Sequence, residues 1–334
     1  MERACRGMLF RVAQAAMAPV AIVAYPAFVW RLLRRSRVAG VSATVAASLY
    51  TRYMQHRLGT RSDDPAARLL AALPGVPRTA LAMVTAPTLL AHRITGHVPR
   101  LYRYPYTGPP PLAHQPAART TFYDAALARE MGGVRQLVVL GAGLDTRADL
   151  LPRGGRLRCF EVDRAPTQAL KLDLMRRVGL DPNRTIRVSV DFRTDDWFER
   201  LTRAGFDPAL PTFYLWEAVT MCLDPRTVEA TLERVAAAAP GSVLAFDYFS
   251  AATFGSRDPL MAYARAAARC AGEPLTYGLE TAPPSREAVS RFLEARGLVL
   301  REHRTFGRES AGRAAPAGFV VAAVPEGSGR RIEG

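Results

Sequence analysis

A chain of 334 residues, 49% hydrophobic and 22% charged, has room for one large α/β domain with additions or for two small ones. Its net charge of +15 first suggests nucleic acid. Residues 1–118, however, hold fifteen arginines against Glu2, Asp63 and Asp64, and the rest of the chain is nearly balanced, with no aromatic–basic interleaving or helix-turn-helix spacing to read DNA or RNA. Cys5, Cys159, Cys222 and Cys270 lie far apart with no Cys-x-x-Cys pair. That pattern excludes a zinc cluster or disulfide framework and fits free thiols in a reducing cytoplasm.

The first segment, residues 1–40, is apolar and basic. Val12 to Trp30 carries no charge and is flanked by Arg3, Arg6 and Arg11 before it and by "RLLRRSR" after it. Three readings fit. It is a membrane anchor or interfacial helix reaching over residues 8–37, a helix packed on the protein's own surface, or a cleaved signal peptide. Pro19, Pro26, Gln14 and the many alanines weaken a span, and no polar spacer with a cleavage site follows the run. In the first reading the arginines beyond Trp30 keep the remainder cytoplasmic, at the inner face of the membrane.

Residues 41–116 read as a helical cap and connector. "VSATVAASLYTRYMQHRLG" (41–59) is helical with Ser42 as its N-cap, and "DDPAARLLAAL" (63–73) is a helix capped by Asp64 with Pro65 in its first turn. "TALAMVTAPTLLA" (79–91) is a buried helix broken near Pro87, and "YRYPYTGPPPLAHQP" (102–116) is a stiff extended connector.

From residue 117 to 325 the pattern becomes regular, and a flexible tail, 326–334, ends the chain. Strands "QLVVL" (136–140), "LRCFEV" (157–162), "TIRVSV" (185–190), "TFYLW" (212–216) and "SVLAFDY" (242–248) alternate with helices, the signature of a doubly wound parallel α/β sheet. "LVLREHRTF" (298–306) and "GFVVAAV" (318–324) are joined by a link too short for a helix and therefore pair antiparallel. Seven strands with an antiparallel last pair form the Rossmann-like sheet of class I methyltransferases.

Ligands of open α/β sheets sit beyond the carboxyl ends of the strands, so the residues there carry the chemistry. After the first strand stand Gly141, Gly143 and Asp145. A dinucleotide fingerprint needs glycine at 146, where Thr146 stands, and no Gly-Lys-Ser/Thr loop exists to cradle phosphate. Asp163 follows Gly141 by twenty-two residues, the spacing at which a carboxylate accepts from both hydroxyls of a ribose. Asp191 is placed to accept from an adenine amino group, Phe192 to cover its ring, and Glu217 stands at the mouth of the fourth strand. This acidic rim disfavours a pyrophosphate and suits S-adenosyl-L-methionine, which carries a sulfonium, an ammonium and a single carboxylate. Arg119 is the first candidate for that carboxylate and Arg147 the second.

Together "ARTTFYD", "VVLGAGLDTRA", "FEVD", "DFRTDDW" and "PTFYLWEAVTMCL" resemble the leucine carboxyl methyltransferase superfamily, in particular its S-adenosylmethionine-dependent branch common in actinobacteria. "SATVAASLYTRYMQHR" and "DDPAARLL" are similar to that branch's N-terminal helices. The resemblance implies that Arg119, Gly141, Asp163, Asp191 with Phe192, and Glu217 hold the cofactor. The chain departs at Ala218 and Cys222, where the pattern has glycine and tyrosine, and both stand beside the expected acceptor site. The activity expected of such a chain is methyl transfer to a carboxylate or hydroxyl oxygen of a small or lipid-like molecule. Glu217 and Tyr248 are candidates near the acceptor, no metal is required, and none of His56, His92, His97, His114 or His303 falls in a strand-end motif. A nicotinamide-dependent oxidoreductase and a catalytically silent membrane-associated scaffold are the rival readings.

Overall fold

The computed structural model describes residues 2–39, 43–254, 256, 259–270, 274–310 and 312–327. Ser42 lies outside the described residues, as does the tail from 328 on, and nothing is described of the Cys270 side chain. Four helices come first: α1 (Glu2–Ala39), α2 (Ala43–Arg57), α3 (Asp64–Ala72) and α4 (Arg78–Thr95). The sheet unit then runs α5 (Gln115–Glu130), β1 (Gln136–Leu140), α6 (Arg147–Leu150), β2 (Arg158–Asp163), α7 (Ala165–Arg177), β3 (Ile186–Ser189), α8 (Trp197–Arg203) and β4 (Thr212–Trp216). It closes with α9 (Pro225–Ala236), β5 (Val243–Phe249), α10 (Ala251–Phe254), α11 (Pro259–Cys270), α12 (Ser285–Glu294), β6 (Val299–Phe306) and β7 (Ala317–Ala323).

The strand order is β3-β2-β1-β4-β5-β7-β6. β1 to β5 are parallel, and β7 inserts antiparallel between β5 and β6. This is the seven-stranded Rossmann-like sheet expected from the sequence. Helices cover both faces, so the central strands are buried on both sides and read as unbroken apolar runs; every residue of β1, β4, β5 and β7 is buried. One core layer centres on Val138, Phe160, Trp216 and Leu232, the opposite one on Val139, Phe122, Phe213 and Phe319. The order reverses between β1 and β4, which opens a crevice at their carboxyl ends.

The N-terminal helices are fused to this sheet unit. Leu49, Met54, Leu69 and Leu70 share a core with Leu144 of the β1 loop and Leu174 and Met175 of α7. Two local expectations are corrected here. The cap of α3 is Asp63, whose Oδ1 accepts from Ala66 N at 3.0 Å; Asp64 is already helical. Asp63 wins because its carboxylate also receives the Thr146 hydroxyl at 3.0 Å and pairs with Arg61, so one residue serves both cap and sheet unit. α4 is not broken at Pro87 but runs through it. One missing N–H is tolerated when packing fixes the helix along its length, and α1 lies antiparallel along α4, with Gln14 Nε2 donating to Thr88 Oγ1 at 3.0 Å and Phe10 against His97. α1 likewise continues through Pro19 and Pro26. The helices α10 and α11, between β5 and α12, have no counterpart among the elements expected from the sequence.

Candidate functional site

The cavity lies at the topological switch point. Its wall comprises the β1 loop (Gly141 to Asp145), Asp163, Arg164 and Thr167 after β2, Asp191 to Arg193 after β3, and Glu217 to Val219 with Cys222 and Leu223 after β4. α2 closes one side with Val45, Ser48, Leu49 and Arg52. Gly141 and Gly143 have φ of +67° and +52°, where glycine is strain-free. Neither has space for a side chain: a Cβ on Gly141 would collide with Val219, and one on Gly143 would come to 2.8 Å from Val45 Cγ2.

Asp163 ends β2 half-buried. Its two oxygens accept from Gly143 N and Arg164 N, both at 2.6 Å, which pins the glycine loop against the end of β2. Burial pushes its carboxyl above the usual range, although those backbone donors pull the other way. Asp191 turns the next loop by accepting from Arg193 N at 3.0 Å and donating its own N–H to Asp195 at 2.8 Å. Phe192 packs beside it, half-buried, at the edge of the core.

Asp145 and Glu217 are not bare anions. Arg52 Nη2 reaches from α2 to both, at 2.9 Å and 3.1 Å. Arg147 also bonds both, Glu217 at 2.6 Å, and extends through Nε to Asp124 at 2.7 Å. Arg61 continues the chain from Asp124 to Asp63. Burial raises the carboxyl pKa values of Asp145 and Glu217, but Arg147 and Arg52 more than reverse it and hold both below the ordinary range. The rim therefore alternates guanidinium and carboxylate, where the sequence suggested an acidic rim with Arg119 or Arg147 as its cation. Arg52 Nε and Arg147 Nη2 remain buried without hydrogen-bond partners; Arg52 lines the cavity, where that favours an acceptor arriving with a ligand, and Arg147 does not.

Arg119 does not line the cavity. It is clamped through Nε and Nη2 on Asp247 Oδ2, at 3.1 Å and 2.6 Å. The other Asp247 oxygen accepts from Tyr123 OH at 3.1 Å and Ala218 N at 2.7 Å. Arg119 thus acts on the cavity wall through Asp247 and Ala218. Tyr248 faces away from the cavity, its hydroxyl 2.8 Å from His303 Nε2, and burial holds the His303 pKa down at about 4. Arg52 and Asp247 were missed in the sequence; a lone aspartate inside the apolar run "SVLAFDY" was the available signal, since such a charge requires a partner.

Ala218, where the family pattern has glycine, has φ of +60°, the one non-glycine positive φ among the described residues. A side chain in that region costs roughly 1–2 kcal/mol, partly offset by the greater chain entropy glycine loses on folding. Ala218→Gly is expected to stabilise the fold by about 0.5–1 kcal/mol in urea unfolding; a destabilised variant would show that the backbone is not strained there.

Residues 52–236 match the family model described as leucine carboxyl methyltransferase. A protein of Mycolicibacterium gilvum named "Putative S-adenosyl-L-methionine-dependent methyltransferase" is 38% identical over 51% of this chain and 53% of its own length. One of the same name from Mycobacterium bovis is 36% identical over 40% of this chain and 43% of its own. This chain spans about half the length of the curated relatives it matches. Among solved structures, a DUF574 family protein from Streptomyces avermitilis aligns with TM-score 0.45 at 18% identity, covering 64% of this chain and 85% of that one, too distant a likeness to inform the site. With the family model covering more than half of its residues, the chain belongs to the leucine carboxyl methyltransferase family.

Proposed function

We propose that the cavity binds S-adenosyl-L-methionine and that the protein transfers its methyl group to an oxygen of a small or lipid-like acceptor, a carboxylate in preference to a hydroxyl. The observation that carries the reading is the rim of alternating charge at the switch point. Arg52 with its unpartnered Nε, set between Asp145 and Glu217, is complementary to the ammonium and carboxylate of an amino-acid end. A dinucleotide would instead bring a pyrophosphate against Asp145. It would find no third glycine, since Thr146 stands there with its hydroxyl bonded to Asp63.

In this reading Asp163 accepts from the ribose hydroxyls, Asp191 from the adenine amino group, and Phe192 covers the ring. The glycine loop lets the backbone approach, and Arg119 supports the wall through Asp247. The bound donor supplies a methyl group on a sulfonium, an electrophile that needs in-line approach and a dry site. The α2 side chains Val45 and Leu49 supply the dry wall. The preference for a carboxylate rests on the lack of a poised base. No histidine lines the cavity among the described residues. Glu217 and Asp145 are held ionised on two arginines, and a depressed carboxylate is a poor proton acceptor near neutral pH. An acceptor that is already ionised needs none.

Calorimetric titration with S-adenosylhomocysteine and, separately, NADH tests the binding; heat with NADH alone would replace the reading by the oxidoreductase one. Transfer of labelled methyl groups into base-labile (ester) or base-stable (ether) products then separates carboxylate from hydroxyl acceptors. Binding without any transfer would favour the silent scaffold.

A further inference from the structure

α1 is apolar on both sides. Gln14 faces Thr88 of α4, Gly7 and Phe10 lie against His97 just beyond it, and Ala24 is buried on the same side of the helix. The opposite face presents Met8, Val12, Ile22 and Val23 to the outside, the last two 68% and 75% exposed. Single exposed apolar residues are ordinary, but a contiguous face of them marks an interaction surface. Between Arg11 and Arg31 the helix carries no charge. Arg11 is exposed toward one end of the face, and the last turns of α1 carry Arg31, Arg34, Arg35 and Arg37. No helix among the described residues is long and apolar enough to cross a membrane.

We infer that the outer face of α1 lies on an anionic lipid surface, its apolar residues in the headgroup–acyl boundary and its arginines among the lipid phosphates. This is the arrangement of interfacial helices, with a weakly apolar face bounded by cations. A second copy of this chain fits the face less well. Pairing the face with itself, in either orientation, sets arginine-rich ends against arginine-rich ends. The acids of residues 1–118 are Glu2, Asp63 and Asp64 alone; Asp63 is fully buried on Arg61, and Asp64 pairs with Arg68. An anionic bilayer offers negative charge to Arg11 and to the arginines of the last turns of α1. The inference stands apart from methyl transfer.

The test is vesicle flotation of the full chain with equal parts phosphatidylcholine and phosphatidylglycerol, against phosphatidylcholine alone. Binding to the anionic vesicles is expected to be at least about tenfold stronger and to weaken with salt, as for arginines near a charged surface. Ile22→Glu with Val23→Glu, on the exposed side, is expected to abolish flotation while leaving thermal unfolding and S-adenosylhomocysteine binding unchanged. Equal binding of both vesicle types, or of neither, overturns the inference. So does a stable dimer by light scattering that the same double substitution dissolves, which would give the face to a second copy.

Discussion

Replacing Arg147 by methionine is expected to cost the fold about 3–5 kcal/mol, the range for removing one partner of a buried ion pair and leaving the other unpaired. Arg147 is 2% exposed and bonds Asp124, Asp145 and Glu217 from three different elements. Methionine fills much of its volume but leaves those carboxylates to Arg52 and Arg61. Arg203→Met is the comparison: its pair with Glu199 lies on the surface of α8, with side chains 74% and 57% exposed, and such pairs contribute less than about 1 kcal/mol. Urea unfolding reads both, and a loss below about 1 kcal/mol at Arg147 would refute the claim that it organises the rim. The acid limb gives a second reading. Asp145 and Glu217 are held below their unfolded values of 3.8 and 4.5. Their contribution is therefore complete above those values and is lost as pH falls through the folded ones. Without Arg147 the folded values rise, and acid unfolding is expected to begin at higher pH.

That network also marks where the sequence stops being readable. The strands were legible because buried parallel strands are short apolar runs between turn signals: β1 and β4 coincide with "QLVVL" and "TFYLW" residue for residue. The acids at their ends were legible because the switch point fixes which end of the sheet takes a ligand. Arg52 was not, being one of fifteen arginines in a basic segment. Its role arises only when α2 docks across the mouths of β1 and β4, bringing together positions 93 and 165 residues apart. Arg119 shows the converse. Its residue type and place on α5 suit a ligand carboxylate, yet Asp247, buried in β5, is within reach and takes its Nε and Nη2 donors. Pro87 and Asp63 obey the same rule, since the local signal was clear and a tertiary partner, α1 for one and Thr146 for the other, decided the outcome.

Asp163→Asn is expected to weaken S-adenosylhomocysteine binding by about 2–4 kcal/mol, a factor of roughly 30 to 1000, while leaving the fold intact. A carboxylate offers about four lone-pair positions; Gly143 N, Arg164 N and the Thr167 hydroxyl engage the Asp163 oxygens, and a ribose diol would use what remains or displace Thr167. Asparagine can keep its oxygen on Gly143 N and hold the glycine loop, but it offers an NH₂ where the second carboxylate oxygen accepted, so a diol loses acceptors. Stability should move the other way. Burial raises the Asp163 pKa, so its ionised form at neutral pH is less favourable in the folded chain than in the unfolded one, and a neutral amide removes that cost. Greater or unchanged stability together with lost affinity is the signature of a charge kept for a ligand at the expense of the fold. Asp149→Asn provides the contrast. That carboxyl is also raised by burial, to about 6, but it lies outside the cavity wall, and its loss should leave affinity unchanged. Equal affinity in wild type and Asp163→Asn, on folded protein, would show that the strand-end carboxylate holds the loop and nothing else.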